Sequence, residues 1–189
     1  MTQHFGSHAS YNRPQPLGEA FLTLLERDQM RLLRICAALE KIADGLPGTG
    51  HQKKTGRVLA FLDKAFSRHV FLHEKCLFPL IRSLEEKNAP LELMLRELEF
   101  EHAADRGLIV EILSAFMSDS RNTGPDALGY LLRSFFENYR RHAAWERAAL
   151  YPIVRKHLAG GPRKQHDALL RASMGPSVSD AILRAVALC

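Results

Sequence analysis

Apolar residues recur every three or four positions along most of the chain, which is the spacing of one face of an α-helix. Segments rich in glycine and proline divide this pattern into stretches that we interpret as four long helices. No alternating run of β-branched residues between hairpin turns indicates a strand. The pattern therefore predicts an all-α protein, an antiparallel up-down-up-down four-helix bundle built from two helical hairpins. The predicted helices cover residues 17–46, 52–87, 91–118 and 126–158.

Polar residues interrupt the otherwise apolar inner faces of these helices near their middles. Burying one polar group without a partner costs about 1–3 kcal/mol, so several together require a common partner. A metal ion would be such a partner, because imidazole nitrogens and carboxylate oxygens are good ligands for it. The alternative is a polar layer that forms hydrogen bonds within itself, since a single core histidine usually bonds to a carbonyl group. The inward polar residues are Gln29, His69, His73, His102, His142 and Glu146.

A repeat relates the second predicted helix to the fourth, with an offset of 73 residues and no gap. His69 aligns with His142, and His73 aligns with Glu146. Because residues four apart lie on one face of a helix, each copy projects two candidate ligands from adjacent turns. Each copy also has a proline six residues after its second ligand, and Pro79 is predicted to kink its helix or to end its regular part.

Composition and charge exclude several other classes of protein. The chain has 189 residues, 46% hydrophobic and 25% charged, which is typical of one globular domain. No apolar run reaches the ~20 residues of a membrane-spanning helix, and the amino terminus does not resemble a secretory signal. We therefore expect a cytoplasmic protein without membrane contact. The net charge of +5 is spread along the chain without a recognition motif, so nucleic-acid binding is not expected.

The regions that flank the predicted bundle are assigned by composition. Residues 1–16 are polar and are predicted to form a flexible tail, followed by the bundle at 17–159. Residues 160–189 are predicted to form a helical extension of two short amphipathic helices. This extension is expected either to cap the bundle or to pair with another chain in an oligomer. The three cysteines have no paired spacing, and Cys76 is interpreted as a buried free thiol.

In combination, the repeated ligand pairs and the proline positions resemble the hemerythrin-like HHE cation-binding family. The family pattern has His on the first helix, His-x3-Glu on the second, His on the third and His-x3-Glu on the fourth. The resemblance covers residues 17–159. It implies a non-haem iron site, usually of two irons bridged by carboxylates. It also implies a role in oxygen binding, in iron or redox sensing, or in the response to nitric oxide.

Two positions depart from that family pattern. Gln29 replaces the histidine of the first helix, and His73 replaces the glutamate of the second. A carboxylate can bridge two metals, whereas a neutral imidazole offers one lone pair to one metal. We therefore expect one metal rather than two, with non-haem iron favoured and zinc or manganese as alternatives. The predicted ligands are His69, His73, His102, His142 and Glu146.

Several residues near the predicted ligands are expected to have roles other than binding the metal. Asp28 and Glu74 are expected to be carboxylates on the flanks of their helices, and Trp145 is expected to pack around the site. The function predicted is metal-dependent binding or sensing of oxygen, nitric oxide or iron status. The alternatives are a metal-free interaction or regulatory module and a metal-dependent oxidoreductase. No nucleophile–base pair or cofactor loop is present, so enzymatic turnover is not the default expectation.

Overall fold

The computed structural model describes residues 17–46, 52–117, 124–159 and 163–187, and every regular element in these ranges is helical. The prediction of an all-α protein is therefore confirmed for the described residues. The predicted tail at residues 1–16 lies outside them. The helices are α1 (Leu17–Asp44), α2 (Gln52–Leu72), α3 (Phe78–Leu84), α4 (Ala89–Met117), α5 (Pro125–Trp145), α6 (Tyr151–Ala159), α7 (Arg163–Met174) and α8 (Pro176–Ala187).

Two of the predicted long helices are not continuous α-helices. A π-helical segment, His73–Leu77, joins α2 to α3, and a second, Glu146–Leu150, joins α5 to α6. The wider turn is marked by hydrogen bonds over five residues, from the Phe78 N–H to the His73 carbonyl and from the Tyr151 N–H to the Glu146 carbonyl. A proline follows each segment, and its ring would collide with the carbonyl four residues earlier in a regular α-helix. Widening the turn avoids that collision, so each proline alters the helix without ending it.

The helices pack so that a polar layer separates two apolar clusters. Helix α1 packs against α2 and α5, and α4 packs against the same two helices. On α1, Leu25 belongs to one cluster and Leu32 to the other, with Gln29 between them. On α4, Leu98 and Ile109 flank the layer in the same way. The polar residues of the sequence pattern therefore lie at one level of the structure, enclosed by apolar side chains on both sides.

The carboxyl-terminal helices cover one of these two clusters. Leu170 and Met174 of α7 and Ile182 of α8 are buried in the cluster that contains Leu17 and Phe21 of α1. The extension therefore packs on its own chain, which agrees with the expectation that it caps the bundle. Its predicted role in an oligomer stays a prediction. None of the helices in the described ranges is both long enough and apolar enough to span a bilayer.

We predict that Ile182→Ala lowers the free energy of unfolding by about 2–5 kcal/mol, because it leaves a cavity where α8 meets the core. The matched control is Val110→Ala on the exposed side of α4, which should change stability by no more than about 0.5 kcal/mol. Urea unfolding followed by circular dichroism measures both values. Equal effects of the two substitutions would contradict the packing of α8 on the bundle.

Candidate metal centre

Four of the predicted ligands converge in the polar layer. His69 from α2, His102 from α4, His142 from α5 and Glu146 from the second π-segment are all buried. Each offers one ligand atom, and these atoms all lie within 4.8 Å of one another. His73 completes the set, because its Nε2 atom is 3.1 Å from Glu146 Oε1. The structure thus brings four of the five predicted ligands together, and it places His73 beside that group, in contact with Glu146.

Glu146 Oε1 is at the centre of this group. It lies 3.1 Å from His142 Nε2 and 3.7 Å from His69 Nε2, in addition to its approach to His73. This oxygen, both ring nitrogens of His69 and the Nε2 atom of His73 are buried without a hydrogen-bond partner among the described residues. Such orphaned polar atoms are costly in a protein interior. Their convergence fits a cation at this point, because one ion would satisfy Glu146 Oε1 together with one nitrogen of His69 and one of His73.

Two glutamates outside the cluster fix the orientation of two imidazole rings. The Nδ1–H of His102 donates to Glu74 Oε1 at 3.0 Å, and the Nδ1–H of His142 donates to Glu101 Oε2 at 2.8 Å. A carboxylate can only accept, so the proton of each neutral ring resides on Nδ1. In a neutral ring the lone pair is then on Nε2. The two Nε2 atoms lie 3.2 Å apart inside the cluster, where the Nε2–H of protonated His142 donates to His102. Carboxylates that hold histidine in this way typically support a metal ligand.

The other two rings are held from α2 and α1. The Nδ1–H of His73 donates to the carbonyl of His69 at 2.9 Å, which directs its Nε2 lone pair toward Glu146. Nδ1 of His69 lies 3.6 Å from Asp28 Oδ2, slightly beyond hydrogen-bond length. Asp28 is 1% exposed and pairs with Arg68 at 3.1 Å. Asp28 therefore flanks the cluster, as expected, but it is buried there, because α1 packs tightly on α2.

The shifts in pKa follow from burial and from the central carboxylate. Burial lowers the pKa of His102 to about 3 and holds that of His69 well below its usual value. Burial acts in the same direction on His142, but the nearby carboxylates of Glu146 and Glu101 outweigh it and raise the pKa to about 9. Burial would raise the pKa of Glu146, yet the surrounding imidazoles keep it below its usual value. His69 and His102 are thus neutral and ready to coordinate, whereas His142 must release a proton on binding a cation.

Gln29 makes contacts that exclude it from the ligand set in this arrangement. Its Nε2 donates to Glu146 Oε2 at 3.2 Å and to the Ala143 carbonyl at 3.0 Å. Its Oε1 accepts hydrogen bonds from Arg147 at 2.9 and 3.2 Å. Arginine can only donate, so the amide oxygen must face Arg147 and the amide nitrogen must face Glu146. One carboxylate oxygen of Glu146 is therefore engaged by Gln29, and the other faces the histidines.

Sequence reasoning missed the roles of several residues around the cluster. Nothing in the periodicity identified Glu74 and Glu101 as partners of the ligands, although each directly adjoins an inward histidine. Trp145 is 56% exposed, so the expectation that it packs around the site is wrong; it lies on the outward side of α5. Cys76 is buried as expected, and burial raises the pKa of its thiol to about 11, which disfavours the reactive thiolate.

A buried cluster of histidines and one glutamate inside a helical protein defines a candidate centre for a cation. The family model described as the hemerythrin HHE cation binding domain matches residues 20–171. The chain therefore belongs to the hemerythrin HHE cation-binding family. Comparison with curated proteins and with solved structures gave no significant match. Family membership and the buried cluster together fit a metal-binding protein.

We predict that Glu101→Gln lowers metal affinity by about 10- to 100-fold, because the neutral amide is a weaker acceptor for the His142 Nδ1–H. The matched control is Glu97→Gln, which changes an exposed glutamate one turn earlier on α4. A competition titration against a chromophoric chelator measures both affinities. Equal affinities in the two variants would show that Glu101 does not support the site.

We predict that the metal-free protein loses stability as the pH falls below about 6.5. In the unfolded state the histidines bind a proton near pH 6.5, whereas folded His102 does so only near pH 3. Between these values the unfolded state binds more protons, so the free energy of unfolding falls by up to about 1.4 kcal/mol per pH unit for each such histidine. Urea unfolding at several pH values between about 7 and 5 measures the slope.

His142 changes the stability in the opposite direction, and only on the alkaline side. Because its pKa is raised to about 9, its contribution to the free energy of unfolding is complete below about pH 6.5 and is lost as the pH rises through 9. His102→Gln removes one buried histidine and should reduce the acid-side slope. An unchanged slope in that variant would contradict the assignment of the acid sensitivity to the cluster.

Proposed function

We propose that this chain binds one non-haem iron ion through His69, His73, His102, His142 and Glu146. The observation that carries the proposal is the convergence of orphaned lone pairs around Glu146 Oε1. Three of the four rings are oriented by hydrogen bonds at Nδ1, which leave Nε2 available to a metal. Without a cation, the Nε2 atoms of His69 and His73 and the Oε1 atom of Glu146 are buried with no hydrogen-bond partner among the described residues. A cation would use these lone pairs in ligand bonds.

A single ion is favoured because the position of a second one is occupied by other groups. Gln29 presents its amide N–H₂ group to Glu146, and an N–H₂ group offers no lone pair to a metal. The guanidinium of Arg147 lies directly behind Gln29, and its charge would repel another cation. His73 also provides a nitrogen where a bridging carboxylate would be needed. Each departure from the family pattern therefore acts against a second ion.

The donor set favours iron over zinc. Structural zinc is almost always held by four ligands in a tetrahedron, whereas the proposed set has five donors. Nitrogen-rich sets with one carboxylate suit first-row metals that accept higher coordination numbers, with manganese as the remaining alternative. An ion that accepts a higher coordination number would have room for a small external molecule beside these protein ligands.

The surrounding residues make the site suitable for binding or sensing a small neutral molecule such as oxygen or nitric oxide. Apolar clusters enclose the polar layer on both sides and limit access of water. The Tyr139 ring packs 5.4 Å from the His69 ring, and its hydroxyl is a buried donor without a partner among the described residues. Bound iron would supply an affinity for diatomic ligands that side chains lack. Sensing of oxygen, nitric oxide or iron status is thus the proposed role, in the cytoplasm.

The up-down-up-down arrangement of four helical segments is part of the same proposal. Ion pairs join Arg133 to Asp44 and Arg140 to Glu40, so residue numbers rise along α5 as they fall along α1. This order supports an antiparallel pair. On the opposite side, Glu74 contacts His102 and the later Arg82 contacts the earlier Glu92, which supports an antiparallel pair of the α2–α3 segment and α4.

We predict about one iron per chain in protein purified without oxygen after expression in iron-supplemented medium. His102→Ala and His142→Ala should reduce the iron content to near zero, because each removes a ligand and leaves a void. Gln29→Ala is the control and should retain about one ion. Elemental analysis gives these ratios. A parent with two irons would contradict the single site, and equal iron content in all variants would contradict the ligand assignment.

A titration of the ferrous protein with nitric oxide, in the absence of air, tests the sensing role. A saturable optical change at about one equivalent of nitric oxide per iron supports it. Iron-loaded protein that shows no change would contradict it. Protein that takes up no metal at all would instead favour the interaction module, and catalytic turnover with oxygen or peroxide would favour the oxidoreductase.

A further inference from the structure

The side of α4 that faces away from the candidate metal centre carries two large apolar side chains that are exposed to solvent. Leu93 is 70% exposed and Phe100 is 69% exposed, and the positions that share their side include alanines and a glycine. Exposed apolar side chains grouped on one face typically mark an interaction surface. We call this surface the outer face of α4, and it consists of Leu93, Arg96, Phe100, Ala103, Ala104, Gly107 and Glu111.

We propose that the outer face of α4 is a docking surface for the same face of a second copy of this chain, with the two α4 helices antiparallel. A twofold axis would pass between Ala103 and Ala104, where the small side chains allow close approach of the helices. An interface of this kind needs a surface that is complementary to itself, so each residue must suit the one equally far from the axis on the other side. Two pairs of positions on the outer face of α4 meet this condition, one in shape and the other in charge.

The match in shape involves Phe100 and Gly107. Phe100 lies three residues before Ala103, and Gly107 lies three residues after Ala104, so the axis places each opposite the other. A Cβ atom added to Gly107 would meet nothing within 4 Å, so the surface above this glycine is open. The Phe100 ring of one copy would fit into the space over Gly107 of the other. The twofold axis creates this contact twice.

The match in charge involves Arg96 and Glu111. Arg96 lies seven residues before Ala103, and Glu111 lies seven residues after Ala104, so these opposite charges would also face each other across the axis. Arg96 is 72% exposed and pairs within its own chain only with Glu92, among the described residues. Two charge pairs would therefore flank the apolar centre, as polar rims flank the centres of known interfaces. A parallel arrangement would bring like residues together and would lose both matches.

The described part of the carboxyl-terminal extension offers less for self-association. The described apolar residues of the carboxyl-terminal extension, Leu170, Met174 and Ile182, are buried against the chain's own core. The inference is independent of the proposed metal, because the residues of the outer face are exposed to solvent, whereas His102 is buried on the inner side of α4. Failure of one proposal would therefore leave the other standing.

Sedimentation velocity of the full chain over a wide concentration range tests the proposal. We expect a reversible monomer–dimer equilibrium. Phe100→Glu should raise the dimer dissociation constant about tenfold or more, because it places a charge in the centre of the interface. Phe61→Glu is the matched control, since Phe61 is 66% exposed on α2, and it should leave the dissociation constant unchanged. A parent that is monomeric at all concentrations, or equal effects of both substitutions, would overturn the proposal.

A charge exchange tests the antiparallel register. Arg96→Glu and Glu111→Arg should each weaken the dimer, because each places like charges opposite each other. The double variant restores opposite charges in reversed order and should recover the affinity of the parent. Thermal unfolding followed by circular dichroism checks that each variant is folded. Recovery supports the register, and a double variant weaker than either single variant would overturn it.

Discussion

The central constraint in this protein is the buried carboxylate of Glu146 among four imidazoles. A carboxylate at this depth is stable only with compensating charge or hydrogen bonds, and only one of its oxygens has a full hydrogen-bond partner, in Gln29. The other oxygen faces histidines that come from α2, α5 and the first π-segment. The helices therefore meet around one polar atom, and the two apolar clusters on either side isolate it from solvent.

Duplication explains why this point lies where it does. The two π-segments begin at His73 and Glu146, which occupy equivalent positions in the two copies, and each is followed by a proline that forces the wider turn. The backbone has thus kept its symmetry while the ligands have diverged. The same offset of 73 residues relates Gln29 on α1 to His102 on α4, so the divergence extends to these two helices. One side of the layer now presents nitrogen ligands, and the other presents an amide hydrogen-bonded to Arg147.

The residues that surround the cluster connect it to the surface. Glu74 and Glu101 are each 27% exposed while each holds a fully buried histidine, so they lie at the boundary between solvent and the site. Asp28 lies deeper and is anchored by Arg68. These carboxylates fix which nitrogen of each ring carries the proton, and thereby determine where the lone pairs point. A cluster of histidines without these partners would have no such fixed orientation.

The sequence by itself determined the helical class, the inward position of every candidate ligand and the correspondence between the two copies. It could do so because helical periodicity is local: a spacing of three or four residues fixes which side of a helix faces the core, whatever the helix packs against. The tertiary structure alone decided the hydrogen-bond partners of the histidines, the burial of Asp28, the exposure of Trp145 and the engagement of Gln29 by Arg147. These features depend on which side chains of different helices face one another and on how those chains rotate, and no spacing along a single helix contains that information.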